Sequence, residues 1–142
     1  MGGSQEIADA AAAAMFAEDR NAHAMGMVVT TVAPGAATVE MTVLDSMVNG
    51  LDVCHGGVVF ALADTAMAFA SNARGGTNLA AHAAIDWLAP ARVGEALTAT
   101  AAETFFDGRV GFYEVTVTGP EGTIAVFHGR TKKISDEGPG SR

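Results

Sequence analysis

The sequence predicts an α+β fold in which one long central helix is wrapped by a curved antiparallel β-sheet. Two observations carry this. From Val58 to Ala70 the chain is apolar in every direction except at Asp64 and Thr65, and a helix that is apolar all round belongs in an interior rather than on a surface. Strand-like runs then follow near 78–89, 95–106, 110–119 and 123–134, separated by turn signals at Pro90 to Gly94, Asp107-Gly108 and Gly119 to Gly122. Within the third run Tyr113, Val115 and Val117 alternate with Glu114, Thr116 and Thr118, the pattern of a half-buried antiparallel strand. Such a series of strands after a buried helix provides its wrapping.

From the start of the chain, residues 5–24 are alanine-rich and read as a first helix, with Ser4 placed as an N-cap. Met27 to Val32 is rich in β-branched residues and ends at Pro34-Gly35. Beyond that turn Ala37, Val39, Met41 and Val43 share one face, with Thr38, Glu40 and Thr42 on the other, so the two segments form a hairpin. A loop from Leu44 to His55 contains Asn49-Gly50 and leads into the central helix, which runs from Gly56 to about Ala73. Residues 136–142 are polar with proline and glycine and are expected to be a flexible tail. The order is α-β-β-α-β-β-β-β, without repeats, and the 142 residues make a single domain spanning 1–142.

Composition narrows the function. A 49% hydrophobic and 17% charged chain can build a packed core. Acids outnumber bases to give a net charge of -8, which makes nucleic acid a poor partner. Arg130, Lys132, Lys133 and Arg142 nevertheless crowd the C-terminal end, leaving room for a small phosphate ligand. No stretch approaches the ~20 apolar residues of a membrane span. The start of the chain lacks a basic segment followed by an uninterrupted apolar one, and Cys54 is the only cysteine. A cytoplasmic protein without disulfides is expected.

Asp64 is the first chemical clue, because a carboxylate in an apolar helix needs a partner or a water-filled site. Its bland alternative is an acid bonded to a neighbouring strand or sitting on an exposed stripe. Cys54-His55-Gly56-Gly57 precedes the same helix, where backbone N–H groups are unpaired and the helix dipole is positive. Glycine lets a carbonyl oxygen approach that backbone, so an oxyanion hole fits there, as does a simple tight entry into the helix. Gly56 and Asp64 are eight positions apart, about 12 Å along a helix axis. One reacting carbonyl cannot touch both in one chain. If both are catalytic, a two-fold dimer with antiparallel central helices must bring Gly56 of one copy toward Asp64 of the other.

Asn49-Gly50 followed by CHGGVVFALADTAMAFASN, together with IDWLAPARVGE at Ile85 to Glu95, resembles the phenylacetyl-CoA thioesterase family of the hotdog-fold superfamily. The resemblance covers roughly residues 25–134. It implies a hotdog fold, homodimers with active sites at their interface, and pairing of dimers into homotetramers. It also implies that the acid matching Asp64 activates water or attacks the thioester, and that the amide matching Gly56 holds the oxyanion. By the same resemblance Asn49 orients water or carbonyl and His55 supports the carbonyl-binding corner.

Each role has a structural competitor: turn chemistry for Asn49, loop hydrogen bonding for His55, and for Thr65 a bond back to its own helix instead of to water. Gly57 and Thr65 are further substrate-binding candidates. Arg109, or Arg130 with Lys132 and Lys133, is placed for the CoA phosphates, with a solvated strand face as the alternative. Cys54 has no activating base nearby in sequence and reads as a small buried thiol. His23, His55, His82 and His128 lack metal-ligand spacing, so no metal and no cofactor is expected; coenzyme A enters only as part of the substrate.

Departures from the family pattern are Leu51, where a polar residue is common, Met67 in place of phenylalanine, and Ala80 to Ala84, which lacks the serine that some relatives place there to contact the acid or water, so that either His82 substitutes or the contact is absent. The reaction implied is hydrolysis of phenylacetyl-CoA or a ring-hydroxylated relative in aromatic (phenylacetate) catabolism. The acyl pocket draws on the central helix, with Phe60 or Met67. Three alternatives stand beside it: a thioesterase for other aryl- or medium-chain acyl-CoA esters, a hydratase, and a non-catalytic acyl-CoA-binding module.

Overall fold

A computed structural model describes residues 2–140 of the chain. The elements are α1 (Gly2–Glu18), α2 (Arg20–Ala24), β1 (Val28–Ala33), β2 (Ala36–Thr42), a 3-10 turn (Asp45–Met47), α3 (Gly56–Asn72), β3 (Thr77–Trp87), β4 (Ala96–Phe106), β5 (Val110–Gly119) and β6 (Gly122–Ser135). The six strands form one antiparallel sheet in the order β1-β2-β4-β5-β6-β3. The expected sequence of a helix, a hairpin, a central helix and four strands is therefore present, with β3 crossing from α3 to the far edge.

The sheet curls because its ladders are interrupted. Register shifts fall between Val29 and Thr31 in β1, Ala80 and His82 in β3, Glu103 and Phe105 in β4, and Val117 and Thr118 in β5. Each irregularity of this kind bends a strand and increases its twist. The concave face carries small and β-branched side chains: Ala37, Val39, Ala99, Ala101, Val115, Val117 and Ala125 are all buried. Against them lie Val59, Leu62, Ala63, Ala66, Met67, Phe69 and Ala70 of α3, likewise buried. Gly129 on β6 leaves space for Met67, since a Cβ there would lie 2.2 Å from the Met67 sulfur.

The wrapping is not complete. Gly57, Phe60, Ala61, Asp64, Thr65 and Ala68 recur at helical spacing along α3 and are half-buried or exposed. This leaves one stripe of the helix uncovered by its own sheet, and Asp64 stands in it.

Three expectations need correction. The first helix breaks at Asp19, whose carboxylate accepts from the Ala22 amide at 2.9 Å and caps the separate α2. Ser4 is not an N-cap, because α1 begins at Gly2. Its first turn is tied to the sheet: Gln5 donates to the Val32 carbonyl of β1 at 2.8 Å and to Asp9 at 2.9 Å, a tertiary contact of the kind that stabilises helices in proteins. The C-terminal segment starts tied rather than free, since Thr77 donates to the Glu137 carbonyl at 2.6 Å and Lys133 pairs with Asp136 at 3.4 Å. Arg142 lies outside the described residues.

Candidate active site

The loop before α3 holds the helix start in place. The His55 amide donates to the Met47 carbonyl at 2.8 Å and the Cys54 amide to the Ala91 carbonyl at 2.7 Å. His55 is the N-cap of α3, with φ -57° and ψ 134°, and its Nδ1 accepts from the Gly57 amide at 2.9 Å. The Gly57 N–H is thus taken. Gly56, the first helical residue, has no acceptor for its N–H among the described residues. An unpaired amide at the positive end of a helix can receive developing negative charge.

Asn49 serves both readings. Its Oδ1 accepts from the amides of Leu51 at 2.9 Å and Val53 at 3.3 Å, which is turn chemistry. Asn49 nevertheless lines a cavity of about 350 Å³ together with Gly56, Cys54 and Trp87. Trp87 was not singled out from sequence. Its indole N–H donates to the Gly56 carbonyl at 3.1 Å, and its ring lies 3.1 to 3.2 Å from where a Gly56 Cβ would stand.

Asp64 sits two turns further along α3, at about 12 Å from Gly56 by helical rise. It lines a second cavity of about 400 Å³ with Met15, Met67, Asn78, Leu79 and Ala80 among its walls. Burial raises its pKa above the ordinary aspartate value, because desolvation penalises the charged form. No donor compensates it among the described residues, so the strand-bonded alternative for this acid does not hold. Asn72 and Asn78 brace the cavity floor: the Asn78 amide donates to Asn72 Oδ1 at 2.8 Å, and Asn72 Nδ2 donates to the Asn78 carbonyl at 3.1 Å. Met15 comes from α1, an element that sequence alone left without a role.

The other candidates are dispersed. Thr65 donates back to the Ala61 carbonyl at 2.7 Å, satisfying its own helix. Arg109 lines a separate cavity of about 330 Å³ with Lys132 and Lys133. Cys54 is buried, which raises its thiol pKa and suits packing better than nucleophilic chemistry. Leu51 is 82% exposed and stands outside both cavities. His82 is exposed on β3 and does not line the Asp64 cavity of its own chain. Phe60 packs edge-on against Phe127, with centroids 5.3 Å apart, and belongs largely to the core.

One helix carries both the unpaired N–H and the uncompensated acid, groups of the kinds that acyl transfer uses. The sequence model of the thioesterase superfamily matches residues 51–126, which contain both. The chain belongs to the thioesterase superfamily. Within it, the chain is 39% identical over 122 residues to the acyl-coenzyme A thioesterase PaaI of Escherichia coli K12, covering 85% of this chain and 87% of that one. The structure of the Escherichia coli PaaI protein from the phenylacetic acid degradation operon superposes with a TM-score of 0.91 at 37% identity, over 93% of this chain and 96% of the other. A point-mutant structure of the phenylacetic acid degradation protein PaaI from Thermus thermophilus gives a TM-score of 0.79 at 33% identity, over 82% of this chain and 100% of the other. The hotdog thioesterase fold is thereby established, with α3 as its central helix.

Proposed function

We propose that this thioesterase hydrolyses acyl-CoA esters to free acid and coenzyme A, acting on phenylacetyl-CoA or a ring-hydroxylated relative in phenylacetate catabolism. The observation that carries this is the pairing, on one helix, of an unpaired Gly56 amide with an uncompensated, desolvated Asp64. The names of the similar proteins supply the substrate class.

In this reading the thioester carbonyl oxygen accepts from the Gly56 N–H, which stabilises the charge of the tetrahedral intermediate. Asp64 acts on the carbonyl carbon, either as general base to a water or as nucleophile through a mixed anhydride. Its pKa, raised by burial, strengthens it as a base. His55 fixes the Gly57 amide and with it the helix entry, and Asn49 shapes the loop beside the carbonyl. Arg109 with Lys132 and Lys133 meets the CoA phosphates.

The helix separates the two groups too far for one chain to complete a site, so the reading requires a homodimer. β3 supports one. It is an edge strand, it contributes Asn78, Leu79 and Ala80 to the Asp64 cavity, and it contributes Trp87 to the Gly56 cavity. Antiparallel pairing of β3 with its copy about a two-fold axis would set Trp87 of one chain beside Leu79 of the other and merge unlike half-sites. Leu79, Trp87 and Leu88, exposed on one chain, would be covered by this contact. Two such dimers would make the homotetramer, working in the cytoplasm.

The test is thiol release from phenylacetyl-CoA and octanoyl-CoA by wild type and Asp64→Asn, both shown to be folded. Strong release by the wild type, lost in the variant, is expected, and the ratio of the two substrates reports the acyl pocket. Full activity in Asp64→Asn would overturn the mechanism, and acyl-CoA binding without release would favour a binding module.

A further inference from the structure

We propose that Trp87 is a positioning residue for the oxyanion-binding amide, acting through the Gly56-Gly57 peptide; the inference rests on the thioesterase reading of Gly56. Two glycines at a helix start have the greatest conformational freedom the backbone allows, and holding them in one orientation costs entropy. Here the peptide between them is gripped at both ends. The Trp87 indole N–H donates to its carbonyl at 3.1 Å, and the His55 Nδ1 accepts from its N–H at 2.9 Å. The peptide plane that follows Gly56 is thereby fixed, which restrains the Cα that carries the Gly56 N–H, and Gly56 lines the same cavity as Trp87 and Asn49. An oxyanion donor is effective to the extent that it is oriented before the charge appears.

The indole also explains why residue 56 is glycine. The ring atoms lie 3.1 to 3.2 Å from the position of a Cβ, so any side chain there would push the indole away and break the grip. Trp87 itself is half-exposed at the end of β3, and its ring does not fill the core. Within one chain it adds little to the core, and at the proposed dimer contact a phenylalanine ring keeps its apolar cover, whereas its hydrogen bond falls on the candidate catalytic peptide.

Trp87→Phe keeps the ring and removes the donor. With phenylacetyl-CoA the expected result is a fall in kcat of about tenfold or more with KM within about threefold, since the lost quantity is transition-state stabilisation and not uniform binding. Thermal stability and chain association should match the wild type. A kcat within about twofold of wild type would overturn the proposal. Asp64→Asn, assayed alongside, separates the two levels: its inactivity together with an active Trp87→Phe refutes only the role of Trp87, whereas an active Asp64→Asn refutes the site itself.

A second readout needs no change at Trp87. It is the only tryptophan in the chain, so the emission of Asp64→Asn reports this corner alone. Titration with phenylacetyl-CoA should change that emission saturably, and an emission unchanged at saturating ligand would contradict the placement of Trp87 at the reacting carbonyl.

Discussion

Asp64 is held against its chemical preference. Burial raises its pKa, so the folded chain keeps this proton to higher pH than the unfolded chain does. The sign follows from linkage: the stability associated with the group is complete below the unfolded value of about 3.9 and declines as pH rises through the higher folded value. Asp64→Asn should therefore melt at a higher temperature than wild type near neutral pH, with the difference closing at about pH 3. A variant less stable than wild type at neutral pH would show that the carboxylate has a compensating partner. The wild-type kcat should fall on acidification with an apparent pKa above about 3.9, since the base must be ionised; a flat profile down to about pH 4 would argue against Asp64 as the base.

Some of these residues were legible in the sequence because they break a pattern. Asp64 is a charge in an apolar helix, and Gly56 opens that helix behind a histidine. Trp87 breaks nothing: an aromatic at the end of a strand is ordinary, and its hydrogen bond to Gly56 spans 31 positions that no local pattern connects. The capping role of His55 likewise depended on which amide the imidazole reaches, whereas the resemblance already singles out Gly56 over Gly57.

At the scale of elements, periodicity located the strands and α3 well, because burial on one or all faces is written directly into residue order. It failed at the first helix, where alanine-rich sequence has no marked face and Asp19 can serve equally as a helix interior or a cap. The curl of the sheet was expected, but the register shifts that produce it carry no composition signal. The contact between α3 and β6 is the tightest test of that curl. Gly129→Ala would place a methyl 2.2 Å from the Met67 sulfur and 2.9 Å from a Phe127 ring carbon. Overpacking of this kind costs about 1–3 kcal/mol, or a drop of roughly 3–10 °C in Tm. An unchanged Tm would mean that α3 can withdraw from the sheet freely.

The first helix also acquires a function at this scale, since Met15 walls the Asp64 cavity. Met15→Ala enlarges that wall and should shift the kcat/KM ratio of octanoyl-CoA to phenylacetyl-CoA upward by about threefold to tenfold. A ratio that does not move would place the acyl group elsewhere in the cavity or at the Gly56 half-site.

For the whole molecule, the separation of Gly56 from Asp64 along one rigid helix is the decisive geometry. It was available from residue counting alone, and the two cavities at either end of β3 agree with it. The exposed edge of β3, with Leu79 and Trp87 near its ends, supplies the contact that would join two chains. What residue order did not contain is the way β3 links the half-sites, because strand order in a sheet is a long-range property. On the proposed reading a single chain would hold one half of each of two sites.

The measurement that tests this most directly is complementation between two inactive variants. Asp64→Asn removes the acid. Gly56→Pro removes the amide hydrogen at the first helical position, where the backbone of His55 suits a following proline; its ring also displaces the Trp87 indole, so the variant is first shown to fold and associate. Each protein alone should be inactive. After unfolding and refolding together in equal amounts, half of the dimers are mixed and each mixed dimer contains one intact site, so about a quarter of wild-type thiol release should return. A refolded mixture that forms mixed dimers yet stays inactive would contradict the shared site.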